Sequence, residues 1–267
     1  MSLILHISDT HFGTEVPSVV DALLEVTRKL TPDLLVLSGD ITQRAQPEQF
    51  RAARQFVERI GVANVLALPG NHDIPLFNLP LRAFAPYRNF RRHFGPDLEP
   101  CFESHDLLVI GVNTTRNWLH KAGHVGSMQI ARVSERLQSA RPEQLRVVVT
   151  HQPIWVSRPC DQKNILRNHQ AALEAWSKAG ADLILGGHIH LPYSQSLREA
   201  RTDLARNVWC VQAGTATSSR VRWDAPNSLN LFRYGKDSAR FTTERWDFDV
   251  NEGCFARVEQ LDMPIDR

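Results

Sequence analysis

Seven side chains able to hold a divalent cation fall in five short polar clusters. Asp9 and His11 lie in Ser8-Asp9-Thr10-His11, Asp40 follows Gly39, and Asn71 opens Asn71-His72-Asp73. His151 stands alone, and His188 and His190 share Gly187-His188-Ile189-His190. Asp and Asn oxygens with imidazole nitrogens suit hard or borderline ions such as Mn²⁺, Fe²⁺/Fe³⁺ and Zn²⁺. Seven donors exceed what one four-coordinate ion needs, but they serve two ions if one carboxylate bridges. Two ions about 3.5–4 Å apart clamp the attacking and leaving oxygens of an in-line displacement. Taken singly, the clusters have plainer readings. Gly39-Asp40 is a turn, Asp9-x-His11 a chance triplet, and a lone His151 a partnered core histidine. Gly187-His188-Ile189-His190 is stronger, because an extended segment points both histidines the same way. The ordered set of five carries the reading.

Every cluster follows an apolar run. Residues 3–8, 34–38, 65–68, 107–112, 145–150 and 182–185 read as buried strands. Residues 17–30 and 47–60 carry apolar side chains at helical spacing, as do 127–139, taken as capped by Ser127, and 169–179. The β-α-β-α-β start predicts a parallel sheet with right-handed crossovers. The C-terminal ends of such strands form the rim where ligands bind. Gly39, Gly70 and Gly187 would permit tight turns or positive φ there. Beyond residue 190 the helical pattern stops. Runs at 193–197, 208–211, 229–234 and 240–246 read as strands of a second sheet built by the C-terminal half.

The chain reads as one domain over 1–267, with a proline-punctuated insertion or cap at 74–100 and a C-terminal extension at 248–267. Hydrophobic residues make up 42% and charged residues 22%, as in ordinary globular proteins. A net charge of +2 without a basic stripe argues against a nucleic-acid polymer as partner. No apolar run is long enough to span a membrane. The start, MSLILHISD, does not resemble a secretory leader, so a cytoplasmic location is expected. The four cysteines are widely spaced and read as reduced and buried.

The order D-x-H, G-D, G-N-H-D, H, G-H-x-H resembles the calcineurin-like metallophosphoesterases. All five blocks are present between residues 9 and 190. HISDTH…GHIH and the length are most similar to the bacterial class III cyclic-nucleotide phosphodiesterases. The resemblance implies two packed β-sheets flanked by helices, a four-layer α/β/β/α sandwich. It implies one metal on Asp9, His11, Asp40 and His190, and a second on Asp40, Asn71, His151 and His188, with Asp40 bridging. His72 would be the catalytic residue facing the leaving-group oxygen, and His11, Asn71 and His190 would also meet substrate. The implied reaction is hydrolysis of a small phosphodiester, such as a 3′,5′-cyclic nucleotide, by hydroxide held between the metals. Glycerophosphodiesters, phosphomonoesters and pyrophosphate-linked lipid precursors are alternative substrates. A metal-binding scaffold is the non-enzymatic alternative.

One position departs from the family pattern. Many relatives carry an acid where this chain has Gln43, so either Gln43 or Asp73 is left to orient His72. Arg88, Arg91 and Arg92 read as a solvated helix face, with attraction of an anionic substrate as the alternative. His120, His124, Trp118, Trp155 and the stretch from Gly214 to Arg220 are further cleft candidates. Oligomeric state is open, a homodimer being one arrangement.

Overall fold

The computed structural model describes residues 1–222, 225–235 and 238–266. Its strands are β1 (Ser2–Ile7), β2 (Leu34–Leu37), β3 (Asn64–Ala67), β4 (Cys101–Glu103), β5 (Leu107–Gly111) and β6 (Leu145–Val149). Then follow β7 (Leu183–Gly186), β8 (Tyr193–Ser196), β9 (Trp209–Gln212), β10 (Ser228–Tyr234), β11 (Arg240–Asp249) and β12 (Cys254–Pro264). The helices are α1 (Pro17–Leu30), α2 (Pro47–Ile60), α3 (Leu79–Phe84), α4 (Arg88–Phe94), α5 (Ser127–Gln138), α6 (His169–Ala179) and α7 (Leu197–Ala200).

Two six-stranded sheets result, in the orders β12-β11-β10-β1-β2-β3 and β4-β5-β6-β7-β9-β8. Strand periodicity explains the layers. Along β1, Leu3, Leu5 and Ile7 face α1 and α2, whereas Ile4 points between the sheets. The inter-sheet core joins Ile4, Leu34 and Val36 to Val109, Val147, Val149 and Leu185. The outer face of the second sheet buries Leu108, Ile110, Val148 and Ile184 against Ile130, Val133 and Trp176 of α5 and α6. Helix α1 places Val20, Leu23, Leu24 and Thr27 inward at the expected spacing. The layers are therefore α/β/β/α.

The partition between sheets differs from the expectation. Strands β10, β11 and β12 do not join the second sheet. β10 lies antiparallel to β1, and the other two extend the first sheet as an antiparallel meander. The second sheet instead begins within the N-terminal half, at β4 and β5. Hydrophobic alternation marks a strand but not its neighbour, since pairing is a long-range choice.

The structure corrects three smaller expectations, on α7, the α5 cap and the cysteines. The helical pattern does not stop at residue 190, because α7 is a short helix. Gly126, not Ser127, caps α5, and its N–H donates to the Gln129 side chain. Of the four cysteines only Cys210 is buried. Within 74–100, α4 packs on α2 through fully buried Phe90, which meets Phe50 edge to face. Residues 254–264 form an edge strand.

Candidate metal centre

β1, β2, β3, β6 and β7 all end at one rim, where the five polar clusters meet. Beyond the strands the chain after β1 continues alongside the chain after β2. Asp9, His11 and Phe12 donate N–H bonds to the carbonyls of Gly39, Asp40 and Ile41. A loop after β9 closes the third side. Ala216 N donates to Ser8 O, while Thr215 and Thr217 hydroxyls donate to the carbonyls of Asp9 and Thr10.

Five of the seven donor residues sit on unusual backbone. Asp9, His11, Asp40, His188 and His190 have φ of 52°, 44°, 48°, 73° and 53°. Left-handed φ at such residues costs about 1–3 kcal/mol each and persists only where surroundings enforce it. Two glycines allow the chains to approach. A Cβ at Gly70 would lie 2.0 Å from Asp40 N, and one at Gly187 would lie 2.0 Å from Ser8 Oγ. Neither glycine needs positive φ; their role is clearance.

The side chains form two groups that meet at Asp40. In the first, Asp9 Oδ1 lies 3.2 Å from His190 Nε2 and 3.8 Å from His11 Nε2, and the two Nε2 atoms are 3.1 Å apart. In the second, His151 Nε2 lies 3.3 Å from both Asp40 Oδ1 and Asn71 Oδ1, with the His188 ring beside it at 5.2 Å between centroids. The other Asp40 oxygen, Oδ2, faces His11 Nε2 at 3.9 Å. The two carboxylate oxygens thus address different groups. His188 and His190 also divide between the groups, which follows from their left-handed backbone and corrects the extended geometry expected for them.

These groups fit cations. His151 and His190 direct Nδ1 to the carbonyls of Ser38 and Arg220 at 2.9 and 2.6 Å. A carbonyl only accepts, so Nδ1 carries a hydrogen and Nε2 is the ring atom left for a proton or a cation. Asp9 Oδ1 and His188 Nδ1 are buried without a hydrogen-bond partner among the described residues. Two buried carboxylates require positive charge beside them, from protonated imidazoles or from cations. Burial would raise Asp9, but His190 overcomes this and holds it below the usual carboxylate range. Burial likewise opposes His151, yet Asp40 pushes it up to about 9. His11 and His188 are lowered by burial to about 3 and about 4. Bound cations would supply the same compensation as protons.

His72 lies at the edge of the first group, its ring 4.8 Å from that of His11 and edge-on to it. Its backbone N–H donates to Asp40 Oδ1 at 2.7 Å. The Gln43 backbone carbonyl, not its amide, receives Nδ1 at 2.9 Å. The amide oxygen instead accepts from Arg220 Nη1 at 2.8 Å, and the same Nη1 lies 3.3 Å from His72 Nε2. Asp73 is turned away from the imidazole. It accepts from the N–H groups of Gly70, Ile41 and Thr42 and from the Thr42 hydroxyl. Burial and then Asp40 push it up to about 7, against N–H bonds that favour its carboxylate.

Of the other candidates, His120 shares a narrow recess with His72, Gln43 and Asn71. His124 lies outside that recess, its backbone forming an isolated β-bridge with Arg167. Trp155 packs against the outer core of the second sheet, and Trp118 is exposed. Among the expected substrate contacts, Asn71 and His190 each keep 9% exposure and His11 keeps none. Arg220 was legible only as the end of a candidate stretch, since nothing in its local sequence pairs it with residues 43 and 72.

The overall architecture, two sheets flanked by helices, is shared with a solved dimetal phosphatase. A dimetal phosphatase from Danio rerio superposes with a TM-score of 0.70 at 13% identity, covering 99% of both chains. The chain belongs to the calcineurin-like phosphoesterase family, whose family model matches residues 2–192. It is 28% identical over 206 residues to a cAMP/cGMP dual specificity phosphodiesterase of Mycobacterium tuberculosis, covering 70% of this chain and 61% of that one. It is 34% identical over 82 residues to a glycerophosphodiester phosphodiesterase of Enterobacter lignolyticus, covering 27% and 29% of the two chains. The chain therefore spans less than two thirds of the length of these relatives. Among the described residues no helix is long and apolar enough to cross a membrane.

Proposed function

We propose that this protein hydrolyses a small phosphodiester at a two-ion centre. Asp9, His11, Asp40 and His190 would hold one ion, and Asp40, Asn71, His151 and His188 the other. The observation that carries the reading is Asp40, whose Oδ1 faces His151 and whose Oδ2 faces His11. When bound, the ions would lower the pKa of a water and neutralise charge on the phosphate oxygens.

In the reaction a water oxygen forms a bond to phosphorus and the bond to the leaving oxygen breaks. A phosphomonoester and an alcohol result, the attacking water giving up one proton and the leaving oxygen gaining one. His72 and Arg220 serve that leaving oxygen. With Nδ1 on a carbonyl, His72 Nε2 is the atom through which a proton would move, and the Arg220 guanidinium holds negative charge by N–H donation. Asn71 and His190, which keep some exposure, would contact substrate, whereas fully buried His11 would reach it only through the ion it holds.

The match to a cAMP/cGMP phosphodiesterase makes cyclic nucleotides the first substrates to test. The shorter match to a glycerophosphodiester phosphodiesterase supports linear diesters as the second reading. The decisive assay uses Mn²⁺-reconstituted protein on cAMP, cGMP, bis(p-nitrophenyl) phosphate and p-nitrophenyl phosphate in parallel. Diester cleavage is expected, and turnover of the monoester alone would overturn the proposal.

A further inference from the structure

A second recess adjoins the His72 recess and shares Arg44 and Leu76 with it as walls. Its volume is ≈ 390 Å³, within the roughly 300–1,000 Å³ usual for small-molecule sites. Residues 44–47, just before and at the start of α2, form one side. Residues 75–78 form the other, with Arg88, Asn89 and Arg92 of α4 between them. Asn89 ties α4 to this wall by donating to the Ala45 carbonyl at 2.9 Å.

Charge sets this recess apart. Arg44, Arg88 and Arg92 all line it, and no Asp or Glu does. Among the described residues none of the three forms an ion pair. Elsewhere on the surface Arg54, Arg59, Arg132, Arg136 and Arg201 each hold a carboxylate. Three guanidinium groups on one concavity repel one another unless an anion lies between them. Guanidinium is also the side chain best matched to phosphate, because its fork donates two parallel N–H bonds. Arg44 is oriented by the Phe77 ring, its Cζ lying 5.6 Å from the centroid.

The geometry points to a subsite for a second phosphate carried by the substrate, on the side of the leaving group. This deepens the hydrolase reading and rests on it. A leaving group served by His72 would extend past Arg44 and Leu76 into the recess. A 3′,5′-cyclic mononucleotide has one phosphate and offers the arginines nothing. A diester whose released half bears a further phosphate, such as a terminally phosphorylated dinucleotide, would fill both sites.

Two measurements test the subsite. In EDTA, where no ion can recruit the probe, calorimetry with inorganic pyrophosphate should show one bound equivalent. Arg88→Gln/Arg92→Gln should weaken it at least tenfold. Both arginines are exposed, so the double variant should fold, which circular dichroism checks. Equal binding by the two proteins, or no binding by the wild type, would overturn the subsite. With Mn²⁺ present, the ratio of kcat/KM for phosphorylated over unphosphorylated dinucleotide should exceed ten in the wild type. That ratio should approach one in the double variant. A ratio near one in the wild type, or one unchanged by the substitutions, also counts against the proposal. Failure of the wild type to cleave bis(p-nitrophenyl) phosphate would instead sink the hydrolase reading, while the pyrophosphate titration still decides whether the recess binds anions.

Discussion

Arg220 Nη1 lies 3.3 Å from His72 Nε2, although 148 residues separate them in sequence. The same residue receives His190 Nδ1 on its backbone carbonyl. One arginine therefore braces a proposed metal ligand through its main chain and reaches the proposed leaving-group histidine through its side chain. Because the first contact is main-chain, substitutions at Arg220 separate the two roles.

Replacing Arg220 by Ala should lower kcat about 10²-fold, the usual cost of losing one charge-stabilising donor. Metal content should stay at the wild-type level, because the carbonyl that holds His190 survives. Lys should rescue only part of the rate, since it cannot reproduce the guanidinium fork. Kinetics paired with elemental analysis checks this; loss of metal would make the side chain a structural brace.

His72→Ala should lower kcat by roughly 10²–10⁴-fold and retain its metals. The loss should be larger for alkyl than for p-nitrophenyl leaving groups, which depart without help. An equal loss for both would remove His72 from the leaving-group side.

The two-group arrangement predicts a stoichiometry. Wild-type protein dialysed against Mn²⁺ should bind two ions per chain. His188→Ala should lower this toward one, and Asp40→Ala should weaken both sites, since both groups contain Asp40 in this reading. Elemental analysis measures it. Retention of two tight ions by Asp40→Ala would rule out a bridging carboxylate.

Asp73→Asn should destabilise the fold by about 1–3 kcal/mol, because an amide nitrogen would face N–H groups that now donate to a carboxylate. Turnover should fall as well, since this turn carries His72. Urea unfolding gives the first quantity, and an unchanged midpoint would contradict the brace.

His6 supplies a pH dependence. It is fully buried, with Nε2 2.9 Å from Ser38 Oγ, and burial lowers it from 6.5 to about 3. The depressed value keeps the native imidazole neutral. As pH falls below 6.5 the unfolded chain takes up a proton that the native state refuses, so stability is lost. The slope from this one group is about 1.4 kcal/mol per pH unit, and above 6.5 it vanishes. His6→Gln, unfolded in EDTA at pH 7.5 and 5.5, should lose correspondingly less on acidification. Identical slopes would assign the proton elsewhere.

Much of this was legible in the sequence. Helical periodicity located α1, α2 and α6, and apolar runs located the parallel strands, because burial on one or both faces imprints its period locally. The polar clusters could be placed at strand ends for the same reason. Asp9, His11, Asp40, Asn71, His151, His188 and His190 stood out as candidates by residue type and order, and the order carried the family resemblance. What Asp73 does was not legible: two turns had to meet before its carboxylate could span Gly70, Ile41 and Thr42.

By itself the sequence determined which donor-type residues cluster at the strand ends, the strand and helix inventory near them, and the rim on which they fall. These depend on residue type and short-range pattern. Tertiary structure alone decided that β10, β11 and β12 extend the first sheet, and that His188 and His190 divide between two groups. It also decided that Arg220 reaches His72 and that three arginines line one recess. Each of these depends on contacts between segments far apart in the chain, where packing, clearance at glycine and enforced left-handed backbone choose the neighbour. Local pattern carries no record of that choice.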